Sequence, residues 1–187
     1  MPSVTIDGHT DDGYIYGRAG SPSDARATAS IWNATASIYV GQDRVQGGST
    51  VDYYCYRGYV LFDTSVLPAG AVVTDARLSL QVTADYSDTD FDVQVFRFAW
   101  ANPMSDLNRE ANYDAAGAVY EGIWRNTAGI ALDTYYQSPA LDITGINLAG
   151  YTKYQLRSSR DVDAIDPTGQ EQIVLWSAEQ AGRKPKL

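Results

Sequence analysis

The feature that most limits what this chain can become is the run "VVTDARLSLQVTAD", residues 72–85. Within it Ala76, Leu78, Leu80 and Val82 alternate with Arg77, Ser79, Gln81 and Thr83. A period of two places successive side chains on opposite faces, so this is a half-buried antiparallel strand with its apolar face inward. Similar short runs rich in Tyr, Thr, Val and Ile recur along the chain, separated by Gly, Asp, Asn, Ser and Pro, which is an all-β pattern. Further strands are expected at Tyr14–Tyr16, Ala36–Gly41, Tyr54–Asp63, Tyr154–Ser158 and Gln172–Trp176. "FDVQVFRF" begins with Phe91, Val93 and Val95 on one parity and then presents Phe96, Phe98 and Trp100 on the other, a change that a β-bulge would produce. The segment 102–124 is the weakest β candidate, with room for a short helix capped by Ser105 or Asp106 but the sparse apolar spacing of a long loop. Eight or so short strands with long connections predict a single-domain, jelly-roll-like antiparallel β-sandwich over residues 13–187, preceded by an N-terminal arm at residues 1–12.

The stretch "YYCYRGYVLFDTSVLPAG", from Tyr53 to Gly70, carries apolar residues on both parities. It therefore reads as a strand between two covered layers. Cys55 is the only cysteine, which excludes an internal disulfide, and inside an aromatic strand it reads as a small buried hydrophobe. His9 is the only histidine and lies in a Gly/Asp-rich segment. Histidine-based triads and the usual zinc ligand sets are thus out of reach, and no carboxylate pair stands out for glycoside hydrolysis, so a non-enzymatic protein is expected. The formal charge of −9 argues against nucleic acid and against a basic membrane surface as partners. The opening "MPSVTIDGHTDDG" has no charged-then-apolar run of a secretory leader, so synthesis in a cytoplasm is expected, with an extracellular place as the alternative if the chain is processed.

Two kinds of residue remain as functional candidates. Among the acidic clusters, Asp161, Asp163 and Asp166 in "RDVDAIDPTGQE" form the best candidate for a calcium-binding loop, against the plainer reading of Asp as a turn residue. The chain also holds fourteen tyrosines against four phenylalanines. Trp32, Tyr39, Trp124, Tyr135 and Tyr136, with Tyr53 and Tyr54, are candidates for a subunit interface or a sugar-stacking platform, since Tyr and Trp join an apolar body to a polar tip.

"YRGYVLFDTSVLPAGAVVTDARLSLQV" resembles the core signature of DNRLRE-type β-sandwich domains, which are related to disaggregatase-type carbohydrate-binding modules. Arg57, Gly58 and Tyr59 match its Arg-Gly-aromatic strand, Phe62 and Asp63 its Phe-Asp step, Leu67 and Pro68 its turn, and Thr74, Ala76 and Leu78 the strand that follows. "FDVQVFRFAW" resembles the next strand, and Ser177, Glu179, Pro185 and Leu187 resemble the family's ending. Such modules usually continue into a further short strand after the Pro-x-Leu, whereas this sequence ends at Leu187. The resemblance implies the sandwich fold and, as one function, recognition of polysaccharide through surface aromatics. The stand-alone, acidic format is similar to copies borne by phages. That implies a virion structural protein (capsid decoration, head-fibre or tail-associated) that assembles with capsid or other virion proteins and with further copies of itself.

Overall fold

The computed structural model describes residues 3–33 and 36–187. Among these the strands are β1 (Gly13–Ala19), β2 (Ile31–Asn33), β3 (Ser37–Gly47), β4 (Thr50–Asp63), β5 (Ser79–Ser87), β6 (Asp92–Arg97), β7 (Val119–Asn126), β8 (Tyr135–Gln137), β9 (Tyr151–Ser158) and β10 (Gln170–Trp176). Three short α-helices accompany them: α1 (Pro22–Ala27), α2 (Arg109–Asp114) and α3 (Ser159–Val162). The strand pairs are antiparallel and run in the order β7-β6-β9-β4-β3-β10-β5-β8, with β1 laid along β4 and β2 along the far edge of β1.

Strand β4 is where one sheet becomes two layers. Its first half, Thr50–Tyr56, pairs with β3, and its second half, Gly58–Asp63, pairs with β9. Strand β1 pairs with Tyr53–Tyr59 and so overlaps both halves. A strand has two pairing edges, so β3 and β9 must share the edge opposite β1 and part company at Arg57. Beyond that fork the two sheets face each other. Ile38, Val40, Leu80, Val82, Ile173 and Leu175 from one side meet Val60, Phe62, Val93, Val95, Tyr154 and Leu156 from the other in one core. Gly58 sits in the crotch of the fork, where a Cβ would lie 2.6 Å from Ile38 Cγ2 and 3.0 Å from Val40 Cγ2. The all-β, jelly-roll-like sandwich expected from the sequence is the architecture observed, and Ala76, Leu78, Leu80 and Val82 all point inward.

A second layer covers the other face of β4. Ile15, Cys55, Tyr59 and Leu61 are buried beneath Ala25 of α1, Ala29, Trp100, Met104 and Tyr113 of α2. Helix α1 comes so close to β1 that a Cβ on Gly17 would stand 1.9 Å from the Ala25 carbonyl oxygen. Its start is written locally: Ser21 caps the backbone N–H of Asp24 and Pro22 occupies the first helical turn. The capping position of α2 is Asn108, whose side chain makes no capping bond, so neither Ser105 nor Asp106 takes that role. Strand β7, which starts inside the segment least expected to be β and runs two residues beyond it, pairs with β6 across two register shifts.

Those shifts correct one expectation. The extra residues, Trp124 and Glu121, are on β7, while β6 runs in unbroken register with β9. Val93 and Val95 therefore face the sandwich core, and by simple alternation Phe96 lies on the opposite side of the strand, buried beside Tyr120 and Arg157. Phe98 and Trp100 follow in the loop after β6 and pack with the layer over β4.

The two ends of the chain close the remaining seam. Ile6 and Leu187 exchange two backbone hydrogen bonds, and Lys186 and Ser79 exchange two more. Gly8 bridges to Phe62 and donates its N–H to the Pro185 carbonyl at 2.8 Å. Of the arm expected at residues 1–12, the part from Ile6 to Gly8 is thus built into the link between β4 and β5, and Met1 and Pro2 lie outside the described residues. The sandwich is nearly closed into a barrel.

Candidate functional site

Register assembles the densest aromatic group on the molecule. In the β1–β4 ladder Tyr16 stands opposite Tyr56 and Arg18 opposite Tyr54. In the β3–β4 ladder Gly41 stands opposite Tyr56 and Asp43 opposite Tyr54. Directly opposed residues share a face, and the two-residue period adds Tyr14 and Tyr39 to it. Ring centroids of Tyr14 and Tyr39 are 4.8 Å apart, those of Tyr39 and Tyr56 and of Tyr16 and Tyr56 5.7 Å, and those of Tyr16 and Tyr54 5.9 Å. Tyr54 and Tyr56 lie 6.0 Å apart with planes only 5° from parallel. Tyr14 is buried, and Tyr16, Tyr39, Tyr54 and Tyr56 are half-buried, so four rings of the five reach solvent.

The rim of this face is polar. Arg18 is ion-paired to Asp52 at 2.6 Å and places its guanidinium 5.5 Å from the centre of the Tyr54 ring. The Tyr14 hydroxyl accepts from Asn33 Nδ2 at 2.9 Å. Asp43, also on this side, is only 3% exposed. Burial pushes its carboxyl up to about 6, against the opposing pull of the Glu171 N–H and the Tyr56 hydroxyl. Burial, followed by the Asp43 charge, raises the Tyr56 hydroxyl well above the usual tyrosine range, so it remains a donor. The face therefore offers stacked rings with hydroxyl tips and no nucleophile, an equipment for binding.

The opposite face of the same strand is sealed. Arg57 Nε and Nη2 donate to the two oxygens of Asp161 at 2.8 Å each, and Arg57 Nη1 donates to the Tyr113 carbonyl at 2.7 Å. Arg157 Nε adds a third bond to Asp161 at 2.9 Å. Burial alone would raise the Asp161 carboxyl, but the Arg57 and then the Arg157 guanidinium hold it far below the ordinary range. Cys55 is 1% exposed, and burial, aided by the Asp161 charge, pushes its thiol up to about 12. An unionised, inaccessible thiol is the buried hydrophobe the sequence predicts.

The expected candidates are dispersed. Of Trp32, Tyr39, Trp124, Tyr135 and Tyr136, only Tyr39 belongs to the tyrosine face. Trp32 packs edge-on to Tyr59 in the layer over β4. Tyr53 joins that same layer, and Tyr54 the open face. Trp124 is not a surface ring: it is 3% exposed, lies in the sandwich core and donates Nε1–H to the Tyr136 carbonyl. Tyr136 stacks under Arg125 at 3.8 Å, and Tyr135 donates to the Lys184 carbonyl with Lys186 over its ring, so both hold a corner of the fold together. Tyr14, Tyr16 and Tyr56 are the members that sequence reasoning left out. Their signal is present in "YIYGR" and "YYCYR", where tyrosines two apart must share a strand face.

The acidic loop is organised by arginines. Asp161 is saturated by Arg57 and Arg157, Asp166 pairs with Arg26 at 2.7 Å, and Asp163 ends α3 in solvent. These three carboxylates do not converge, which corrects the calcium-loop expectation. Among the described residues no group of three or more His, Cys, Asp and Glu side chains is placed to hold a metal ion. A scan against models of known protein families finds no match to the chain, and a search of curated proteins finds none.

Proposed function

We propose that the chain is a non-enzymatic structural protein of a phage particle, of the decoration or fibre kind, which docks on a capsid protein or on a sister subunit through its tyrosine face. The observation that carries the reading is the face itself, five tyrosines on three adjacent strands with an Arg18–Asp52 pair at the edge. Tyrosine and arginine are enriched where protein interfaces concentrate their energy, because a ring buries apolar area at low entropic cost while its hydroxyl stays paired. The test is electron microscopy of the source particle with and without the chain, joined to a binding assay with the Tyr16→Ala/Tyr54→Ala double variant. Density at the capsid or tail for the parent, and loss of binding for the variant, are expected. A chain that is absent from particles sinks the proposal.

A second reading uses the same residues. The near-parallel, 6.0 Å offset pair Tyr54 and Tyr56 beside a charged hydrogen-bonding rim is a geometry on which sugar rings stack, which favours a carbohydrate-binding module. A glycan array separates the two: retention of a polysaccharide by the parent and not by the double variant selects this reading.

A further inference from the structure

Asp12 is fully buried where the N-terminal segment enters β1. Its Oδ2 accepts the backbone N–H of Ala178 at 2.8 Å, in the turn that follows β10. Its Oδ1 has no hydrogen-bond partner. The side chain within hydrogen-bonding reach of this carboxyl is Glu179, which also has only acceptors to offer and already takes the Ser177 hydroxyl at 2.5 Å. Two neighbouring carboxyl groups, one of them dry, repel when both are ionised and bond when one keeps its proton.

We infer that Asp12 and Glu179 share a proton, and that this carboxyl–carboxylate bond is a pH-sensitive latch fastening the N-terminal segment to the C-terminal turn. Asp12 on the N-terminal side and Glu179 on the C-terminal side meet at the seam that Ile6 and Leu187 close further along. The charges that act on Asp12 are both negative: Glu179 from the turn and Asp11 from its own segment. His9 stands nearby but is engaged locally, its Nδ1 accepting the Asp11 N–H. Burial, then the Glu179 charge, pushes Asp12 up to about 8, in keeping with a proton retained at neutral pH. The folded carboxyl is therefore protonated across a range in which the unfolded one is ionised. The latch is complete in acid and is lost as pH rises through the folded value. When it opens, the segment bonded along Phe62 and Pro185 loses one of its fastenings.

The experiment compares melting temperature against pH for the whole chain and for Asp12→Asn, with carbon NMR of the Asp12 carboxyl alongside. The amide of the variant can accept from Ala178 and donate to Glu179 permanently. The parent is expected to lose several degrees between about pH 4 and about pH 8 relative to the variant, and its Asp12 carboxyl to titrate far above the ordinary value. Should the variant not fold, Glu179→Gln serves instead: removing the neighbouring charge must move the Asp12 midpoint down. A midpoint near that of a free aspartate overturns the latch. So does a calcium chloride titration at about pH 8 that raises the parent's melting temperature and not the variant's, for then the pair holds a cation and no proton.

Discussion

The two faces of β4 are built from nearly the same vocabulary and do opposite things. Toward one side Tyr59 and Cys55 disappear under α1 and α2, and the Tyr59 hydroxyl donates to the Asn112 carbonyl at 2.9 Å and accepts from Gln155 at 2.8 Å. Toward the other, Tyr54 and Tyr56 touch one another and their neighbours and stop at solvent. Composition does not separate these faces; what covers them does. The helical layer reaches β4 because Gly17 lets α1 press against β1 and because Arg57 bonds the Tyr113 and Arg26 carbonyls above it. The second sheet covers β4 only beyond the fork, from Gly58 onward. The tyrosine face lies before the fork, and that position keeps it open.

The largest effect expected from breaking this contrast is at Arg57. Arg57→Met leaves Asp161 buried with Arg157 as its remaining cationic partner and strips donors from the Tyr113 and Arg26 carbonyls. A loss of about 3–5 kcal/mol is expected, read by denaturant unfolding. Adding Asp161→Leu to the same chain should restore a large part of it, since removing both charges costs less than stranding one. The contribution also has a pH signature. Because the folded carboxyl is held far below its ordinary value, the stabilisation is present above about pH 4 and declines as pH falls below it. Alkylation of Cys55 in the native parent should be negligible and should appear with the Arg57 variant if the covering layer loosens.

Next comes the fork. A Cβ at Gly58 meets Ile38 Cγ2 at 2.6 Å, and that methyl sits on a branched, fully buried side chain with no free end to swing away. Gly58→Ala should cost about 1–3 kcal/mol, the usual price of overpacking, with the two sheets forced apart at the crotch. Calorimetric melting of the variant checks it. A neutral result would mean that the fork is looser than its contacts indicate.

How much of this was readable beforehand differs by scale. Alternation is a local property, so the inward face of Ala76 to Val82 and the doubly covered character of β4 follow from the sequence. Helix α1 carried a readable start in Ser21, Pro22 and Asp24 that periodicity alone does not reveal in six residues. The fate of individual aromatics is not local. Trp124 is drawn into the core by shifts of register on β7 that depend on its partner strand. Asp161 is claimed by an arginine 104 residues away in sequence. Tyr14, Tyr16 and Tyr56 become one face only when β1, β3 and β4 take up their register, and no single run contains that pairing.

The smallest stability effect belongs to the open face and gives the sharpest comparison. Tyr59→Ala and Tyr54→Ala delete the same ring from the same strand, five residues apart. Tyr59 is fully buried and its loss empties the covered layer, so about 3–5 kcal/mol is expected, by analogy with other large aromatic deletions. Tyr54 is half-buried and stacks only on Tyr16, Tyr56 and the Arg18 guanidinium, so its loss should cost about 1 kcal/mol or less. If the open face exists for recognition, the order reverses in a binding measurement. Tyr54→Ala should retain its fold and lose its partner, while any Tyr59→Ala protein that still folds should keep an unaltered tyrosine face and bind normally. Equal losses of stability in the two variants would show that the tyrosines beside the fork support the fold as much as those beneath the helices, and the separation between the two faces of β4 would fail.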